Sequence, residues 1–330
     1  FKDCFGLTSL NIKDWDVSGV TSIQGMLTTC YSLTTLDVSD WNVSNVTTMQ
    51  AAFKDMTALT ALDLETWNTT NVTNIDVMFY ELNNITTIGD VSSWDTSNIT
   101  TMNQTFFSCN KLTMDVSGWD TSSVHATNDM KMLFYDCRYS GSITGYENWD
   151  VTQVISTQQM FQSTDNLTTF PGDYELDSVV YMKQMFYNAP FVTGSIDCTG
   201  MKWSSSVVDM NGTFRTNPGL TDISFDSANL DFSGVTTMQN MFYSCDALID
   251  VTWHSGLDLS ALTNATNMFT SAASKMSPAN YDIFLIALDA GSGTPGILDT
   301  EASQYNAGAG ATAHASLLVK GWTINDGGQV

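Results

Sequence analysis

The stretch LDVSDWNVSNVTTMQAAF, residues 36–53, is repeated 26 positions later as LDLETWNTTNVTNIDVMF, residues 62–79. Both copies carry a tryptophan at the same place and end on a phenylalanine, which we call the anchor. A bulky apolar anchor recurs every 25 to 28 residues along most of the chain. The anchors are Phe1, Leu27, Phe53, Phe79, Phe106, Phe134, Phe161, Phe186, Phe214, Phe242 and Phe269. Repetition at such a period indicates stacked units rather than independent globular domains.

The segment before each anchor has a helical spacing of apolar residues. In one copy Val46, Met49 and Phe53 follow Ser44, and other copies keep this order. Apolar residues at intervals of three and four share one face of an α-helix, and a preceding Ser, Thr or Asp is a typical N-cap. The pattern predicts a helix of two to three turns over residues 44–56 and over each equivalent segment.

The segment after each anchor predicts a strand. It has the form LxxLxL, is short, and is bounded by turn residues. A strand and a helix in each unit would place parallel strands on one face and helices on the other. The expected fold is therefore an α/β, leucine-rich-repeat-like solenoid over residues 1–276. The strand segments are LTSLNI (7–12), LTTLDV (33–38), LTALDL (59–64), LTDISF (220–225) and LIDV (248–251).

Tryptophans recur between the predicted strand and the predicted helix. We expect them to form a buried, stacked column, because burial of each aromatic ring removes on the order of 150–250 Å² from water. Exposed aromatic rings that bind carbohydrate are the alternative. The column comprises Trp15, Trp41, Trp67, Trp94, Trp119 and Trp149.

The period stops after Met276. Ser277 and Pro278 are a strong helix start. The stretch AHASLLVKGW, residues 313–322, predicts a second helix, and the chain ends in strand and turn residues. We expect residues 277–330 to cap the last repeat. The chain also opens inside a repeat, so a further segment is expected to precede residue 1.

The charge balance narrows the range of partners. The chain has 35 acidic and 11 basic residues, a net charge of −24, which disfavours nucleic acid and anionic membranes. Metal cations and basic partners remain compatible with this charge. Aspartate supplies 30 of the 35 acids, which indicates many turns. No run of 18 apolar residues and no recognisable catalytic motif is present, so we expect neither membrane insertion nor an enzyme.

The pattern SxWDVSNVTxMxxMFxxCxxLTxLDVSxW resembles the BspA-type leucine-rich repeat proteins, in the 26-residue surface-protein variant found in mycoplasma, marine bacteria and large viruses. The resemblance covers about residues 1–276, and LLVKGWTINDGG is similar to the C-terminal cap of such proteins. It implies a secreted or cell-surface protein with a binding or adhesion role and no catalytic residues. The GSITGYEN insert after Cys137 departs from the family pattern.

The outward positions of the strand segments are the predicted ligand-binding face, since alternate residues of a strand point away from the core. The ligand would be a protein or a glycan; the alternative is self-association as a structural subunit of a filament, surface sheath or viral fibre. No cofactor is expected, but calcium stays open at Asp37 and Asp63, because carboxylates of neighbouring repeats could share it. The candidate ligand-binding residues are Thr8, Asn11, Thr35, Asp37, Thr60, Asp63, Thr87 and Asp115.

Cysteines and sequons recur with the repeat. Five cysteines share one column, three residues after the anchor, and are either buried thiols or, as Cys4–Cys30 and Cys109–Cys137, disulfides between neighbouring repeats. Sequons are acceptors for glycosylation in a eukaryotic host, although the repeated NVT produces many of them. The glycosylation candidates are Asn42, Asn45, Asn68, Asn71, Asn98, Asn166, Asn211 and Asn264.

Overall fold

The computed structural model of the chain describes residues 1–127, 129–138, 141–165, 167, 170–190, 192–270, 276–291 and 294–330. The chain divides into two compact units, Phe1–Pro171 and Gly172–Val330. In both units, successive repeats contact each other through parallel bridges and short parallel strands. The protein is thus a repeat protein with small parallel strands and few helices.

In the described part of unit one, the strands β1 (Thr113–Asp115) and β2 (Ser142–Thr144) pair in parallel, with Met114 opposite Ile143. A 3-10 helix, Tyr146–Asn148, follows within the GSITGYEN insert. The strands predicted at 7–12, 33–38 and 59–64 are not formed, apart from a bridge between Ala61 and Thr87. Elsewhere in the described part of this unit the repeats are joined by single parallel bridges. One such row runs through Ser22, Thr48, Asn74 and Thr101.

Unit two is richer in regular structure. Its sheets are all parallel: β3 pairs with β5, β6 lies between β4 and β7, and β9 lies between β8 and β10. The predicted strand 220–225 coincides with β6. The strands are β3 (Glu175–Leu176), β4 (Gly194–Asp197), β5 (Lys202–Trp203), β6 (Leu220–Phe225), β7 (Asp250–Trp253), β8 (Asn264–Ala265), β9 (Ile297–Asp299) and β10 (Thr323–Asn325).

Two helices lie in the last part of the chain. The helix α1 spans Pro278–Ala290 and begins after Ser277, as the sequence predicts. The helix α2 spans Ala309–Val319 and packs against α1. Phe284 of α1 contacts Trp253 of β7, with ring centroids 5.5 Å apart. The helix and strand predictions for the end of the chain are therefore confirmed, whereas its role as a cap remains a prediction.

The helix predicted before each anchor is wrong. Residues 44–56 contain turns and the bridging residue Thr48, and in the described residues α-helix is confined to α1 and α2. Residues two before and two after the anchor have positive φ, as Ala51 (56°) and Asp55 (60°) show. The backbone therefore forms consecutive turns, such as the one closed by Ala52 N–H on the Met49 carbonyl. A positive φ at the third residue is the geometry of a type II turn.

Successive repeats exchange hydrogen bonds through this turn segment. The N–H groups of Met49, Ala51 and Phe53 donate to carbonyls of the next repeat at 2.9, 2.9 and 3.1 Å. A chain of turns can thus bury residues at intervals of three and four, as a helix does, while its alternate N–H groups point to the neighbouring unit. The apolar spacing alone cannot separate these two structures.

The core consists of stacked columns of side chains. The anchors stack as rings, with centroids 5.5 Å apart for Phe79 and Phe106 in unit one and 5.4 Å apart for Phe186 and Phe214 in unit two. Five of the six tryptophans in the predicted column are buried. Trp15 is the exception at 48% exposed.

Candidate functional site

A groove of about 830 Å³ lies on the outer side of the strand segments in the first four repeats, within unit one. Its floor includes Leu36 and Leu62, which are 7% and 3% exposed. Alternation along each strand segment turns the leucines inward and leaves the polar residues between them at the groove. Six of the eight predicted ligand-binding residues line it: Asn11, Thr35, Asp37, Thr60, Asp63 and Thr87.

The other two predicted residues lie elsewhere. Thr8 is exposed but does not line the groove, and Asp115 belongs to β1. The carboxylate of Asp115 accepts a hydrogen bond from the Ser117 backbone N–H at 2.9 Å. That bond fixes a turn, so the contribution of Asp115 in this structure is local.

Sequence reasoning missed four residues that shape the groove: Lys13, Ser39, Glu65 and Gly89. The first three occupy one place in three successive repeats, at intervals of 26 residues, immediately after the predicted strand. Their changing chemistry, from a base to a hydroxyl to an acid, was a signal that could have been read from the alignment of the copies.

One wall of the groove carries an ion pair between neighbouring repeats. The Lys13 ammonium lies 2.9 Å from Asp37 Oδ2 and 3.6 Å from Asp40 Oδ2. The hydroxyl and backbone N–H of Ser39 also donate to Asp37 Oδ1, at 2.7 and 3.2 Å. The hydrogen bond from Lys13, followed by those from Ser39, lowers the pKa of Asp37 to about 2.

Asp63, one repeat further on, has a different environment. Its carboxylate accepts a hydrogen bond from the Glu65 backbone N–H at 3.3 Å. Within the described ranges, neither Asp63 nor Glu65 forms an ion pair, and both are exposed. The groove therefore presents one neutralised carboxylate at Asp37 and two carboxylates without a cation.

Gly89 closes the groove at the fourth repeat. It is an additional residue relative to the earlier copies, since ITTIGDV replaces LTALDL, and its φ is 81°. A Cβ at this position would lie 3.1 Å from Asp63 Oδ1 and 3.2 Å from the backbone nitrogens of Leu64 and Glu65. Both the left-handed conformation and the close approach require glycine here.

One strand segment that lines the groove has backbone N–H groups without partners. In the described chain, the N–H groups of residues 34–37 donate to no other group. In unit two the equivalent face forms a continuous ladder, in which Ile223 of β6 lies opposite Val251 of β7. Since unpaired backbone groups at a surface are free to bind a ligand, the open ladder adds hydrogen-bonding capacity to the groove.

The geometry disfavours the calcium site considered at Asp37 and Asp63. Asp37 is already neutralised by Lys13, and a calcium site usually needs several oxygen ligands, two or more of them carboxylates. Among the described residues, no group of three or more His, Cys, Asp or Glu side chains is arranged to hold a metal ion.

The candidate disulfides are not formed in this structure. All six cysteines are free thiols, and Cys4 is the only one of them that is not buried. The thiols of Cys109 and Cys137 lie 3.0 and 2.9 Å from the carbonyl oxygens of Phe79 and Phe106 in the preceding repeat. Burial raises the pKa of Cys137 to about 12 and raises that of Cys109 well above its usual value.

The sequons fall into two structural groups. The side-chain amides of Asn45, Asn71 and Asn98 each donate to a carbonyl of the preceding repeat at 2.8 Å. Asn42 and Asn68 instead accept a backbone N–H through Oδ1, and are exposed. The glycan would be attached at the amide nitrogen, so only the second group offers it without breaking a contact between repeats.

The remaining glycosylation candidates are less accessible or not placed. Asn211 and Asn264 are half-buried, and their amides both lie within hydrogen-bond range of Gln239, at 3.3 and 3.5 Å. Asn166 lies outside the described residues. Asn42 and Asn68 are therefore the sequons whose geometry best suits modification.

The repeats match a family model described as "Mycoplasma protein of unknown function, DUF285", over residues 1–88, 82–198 and 172–281. The three matches together span residues 1–281, far more than half of the chain. The chain belongs to the DUF285 family. Each DUF285 match covers three or more of the repeats, and the last one ends within α1. No curated protein and no solved structure matches the chain.

The DUF285 description assigns no activity, so inference about function depends on the geometry of the groove. In the described part of the chain, neither α1, with 13 residues, nor α2, with 11, has the length and apolar character of a membrane-spanning helix. The candidate site is therefore the groove on the strand face of unit one.

Proposed function

We propose that this protein is an extracellular, non-catalytic binding or adhesion protein that uses the strand face of a leucine-rich-repeat-like solenoid. The observation that carries the proposal is the groove, in which six residues chosen for their outward position lie together. Its volume, about 830 Å³, falls in the range of about 300–1,000 Å³ typical of ligand sites. The ligand would be a segment of a surface protein or a glycan.

The composition of the groove supports recognition rather than catalysis. It combines threonine hydroxyls, carboxylates and unpaired backbone N–H groups over an apolar floor. Such groups bind by hydrogen bonds and charge, and a catalytic site would need a unique set of unlike residues with shifted acidity. The resemblance to BspA-type surface proteins and the exposed sequons support a location outside the cell.

The proposal is tested by filling the groove. Ala61 is an exposed lining residue, and Ala61→Trp would occupy the groove with an indole ring. We expect the protein to bind one or more members of a glycan and surface-protein array, and Ala61→Trp to lose that binding by at least about tenfold. Ser93→Trp adds the same ring at an exposed position outside the groove and should bind as the unsubstituted protein does.

Two results would contradict the proposal. Equal binding by Ala61→Trp and the unsubstituted protein would place the site elsewhere.

Light scattering tests the alternative of a structural subunit, since a lone binding protein should be monomeric. An absence of array binding together with concentration-dependent polymers would favour the filament, sheath or fibre.

A further inference from the structure

At two places in this protein the ammonium group of one repeat lies beside two carboxylates of a neighbouring repeat. In unit two, the Lys202 ammonium is 2.6 Å from Asp177 Oδ2 and 3.8 Å from Glu175 Oε2. These acids are two residues apart at the end of β3, which pairs in parallel with the β5 strand of Lys202. In unit one, Lys13 contacts Asp37 and Asp40 of the repeat that follows it. In both places a lysine of one repeat neutralises acids of an adjacent repeat.

The groove contains another acid at the position of Asp37, with no cation from the chain. Asp63 follows Asp37 by 26 residues, and Glu65, two residues later, also lines the groove. The residue that corresponds to Lys13 in the preceding repeat is Ser39, whose hydroxyl donates to Asp37. The serine cannot supply a positive charge to Asp63.

The surroundings of this pair fit a long basic side chain. The lining residues include three carboxylates, Asp37, Asp63 and Glu65, against one ammonium, Lys13, so the groove carries a net negative charge. Beside the acids, the floor offers Leu62 and Ala61 to an aliphatic stem. A lysine or arginine packs its methylene groups on such a surface while its charged end meets the carboxylates.

We propose that the groove binds a lysine- or arginine-bearing extended segment of a partner protein, with one cationic side chain placed between Asp63 and Glu65. This inference rests on the proposed function and specifies the chemistry of its ligand. In the described chain the N–H groups of residues 34–37 have no partner, and Thr35, Leu36 and Asp37 of this stretch line the groove. The net charge of −24 would speed the approach of a basic partner, an effect that falls with ionic strength.

The test measures the fluorescence anisotropy of a labelled eight-residue peptide of alternating lysine and threonine, at about 0.05 M and about 0.3 M salt. Two variants test the site in different ways. Asp63→Asn with Glu65→Gln removes the charge, and Ser39→Lys supplies an internal ammonium where Lys13 stands one repeat earlier. Each should weaken peptide binding by about tenfold or more.

The matched control is Asp95→Asn with Asp120→Asn, which removes the same charge from exposed turns of unit one outside the groove. Asn already occupies the corresponding turn positions at Asn42 and Asn68, so the control should fold. It should bind the lysine peptide within about twofold of the unsubstituted protein. A peptide in which every lysine is acetylated should not bind.

The inference is overturned if no binding of the lysine peptide occurs at low salt, or if the control weakens it as much as the groove variants do. The second result would assign binding to overall charge. Either outcome leaves the proposed function standing if an array ligand still loses affinity on Ala61→Trp. If the lysine peptide does not bind and Ala61→Trp also leaves array binding unchanged, the groove is rejected as a binding site. Thermal unfolding of every variant confirms that it is folded.

Discussion

At the scale of single residues, tryptophan joins several repeats of unit one to the repeat before them. The indole N–H groups of Trp67, Trp94 and Trp119 donate to the carbonyls of Val38, Leu64 and Val91 at 3.1, 3.1 and 2.9 Å. The rings of Trp94 and Trp119 also stack, with centroids 6.0 Å apart. Each of these tryptophans therefore contributes packing and one directed bond across the junction.

Trp94→Phe should lower the free energy of unfolding by about 1–3 kcal/mol, since it removes a buried hydrogen bond and part of a packed ring. Trp15→Phe is the matched control, because Trp15 is 48% exposed, and should change stability by less than about 0.5 kcal/mol. Urea unfolding monitored by circular dichroism measures both. Equal losses of unfolding free energy at the two positions would show that burial of the tryptophan in the column does not determine its contribution to stability.

The cysteine column yields a second prediction at this scale. Only Cys4 should react with iodoacetamide in the folded protein, because the other thiols are buried and burial raises the pKa of Cys137 and Cys245 to about 12. A thiol reacts as its thiolate, which is scarce near neutral pH at such a pKa. Mass spectrometry of labelled peptides, with and without urea, gives the pattern. A disulfide-linked peptide in the unreduced sample would contradict it.

Aspartate is the other repeated residue, and its role is to fix turns. The carboxylates of Asp16, Asp90 and Asp95 each accept the backbone N–H and hydroxyl of the serine two residues later. These bonds, chiefly the one from the hydroxyl, lower the pKa of all three groups. The abundance of aspartate thus follows from turn chemistry, and the negative charge of the surface is its consequence.

At the scale of the element, the turn chain before the anchor replaces the predicted helix. It places a residue in the left-handed region two positions before the anchor in repeat after repeat. Glycine is present there at Gly25 and Gly212, whereas other copies use Ala51 and even the β-branched Val77. A left-handed conformation costs a non-glycine residue about 1–2 kcal/mol. The free energy that offsets this cost must come from the hydrogen bonds and packing between repeats.

Ala51→Gly should therefore raise the free energy of unfolding, by about 0.5–1 kcal/mol after the larger backbone entropy of glycine is counted. Ala58→Gly provides the contrast, because Ala58 lies just after the same anchor without a positive φ. There the substitution should destabilise by about 0.5–1 kcal/mol. Chemical denaturation measures the change in the free energy of unfolding for both variants. Changes of opposite sign support the turn chain, whereas a loss of stability in both would favour a helix at residues 44–56.

At the scale of the whole molecule, charge is the dominant feature. The chain carries 35 acids and 11 bases, and the exposed turns keep many of the acids at the surface. Repulsion among these carboxylates opposes the compact state and is screened by salt. The same negative charge attracts basic partners and repels anionic ones, in agreement with the proposed occupant of the groove.

The thermal unfolding midpoint should accordingly rise by several degrees between about 0.02 M and about 0.5 M NaCl. Choline chloride at equal concentration separates screening from specific binding of sodium, because screening depends only on ionic strength. A midpoint that falls with both salts would mean that attractive ion pairs, such as Lys13–Asp37, outweigh the general repulsion.

The sequence by itself determined the repeat, the inward columns and the outward face. The 25- to 28-residue period places Phe79, Phe106 and Trp94 in buried columns, because equivalent apolar residues of successive repeats come into contact when the repeats stack. It also predicted α1 from Ser277 and Pro278, since those residues act locally. Six groove residues followed from alternation alone.

Only the tertiary structure decided the conformation before each anchor and the shape of the groove. Apolar spacing fits both a helix and a chain of turns, and the choice depends on hydrogen bonds from Met49 and Ala51 to the next repeat, which no local pattern encodes. Likewise, the inserted Gly89 and the substitution of Ser39 for lysine acquire meaning only beside Asp63, because that juxtaposition arises when distant segments pack together.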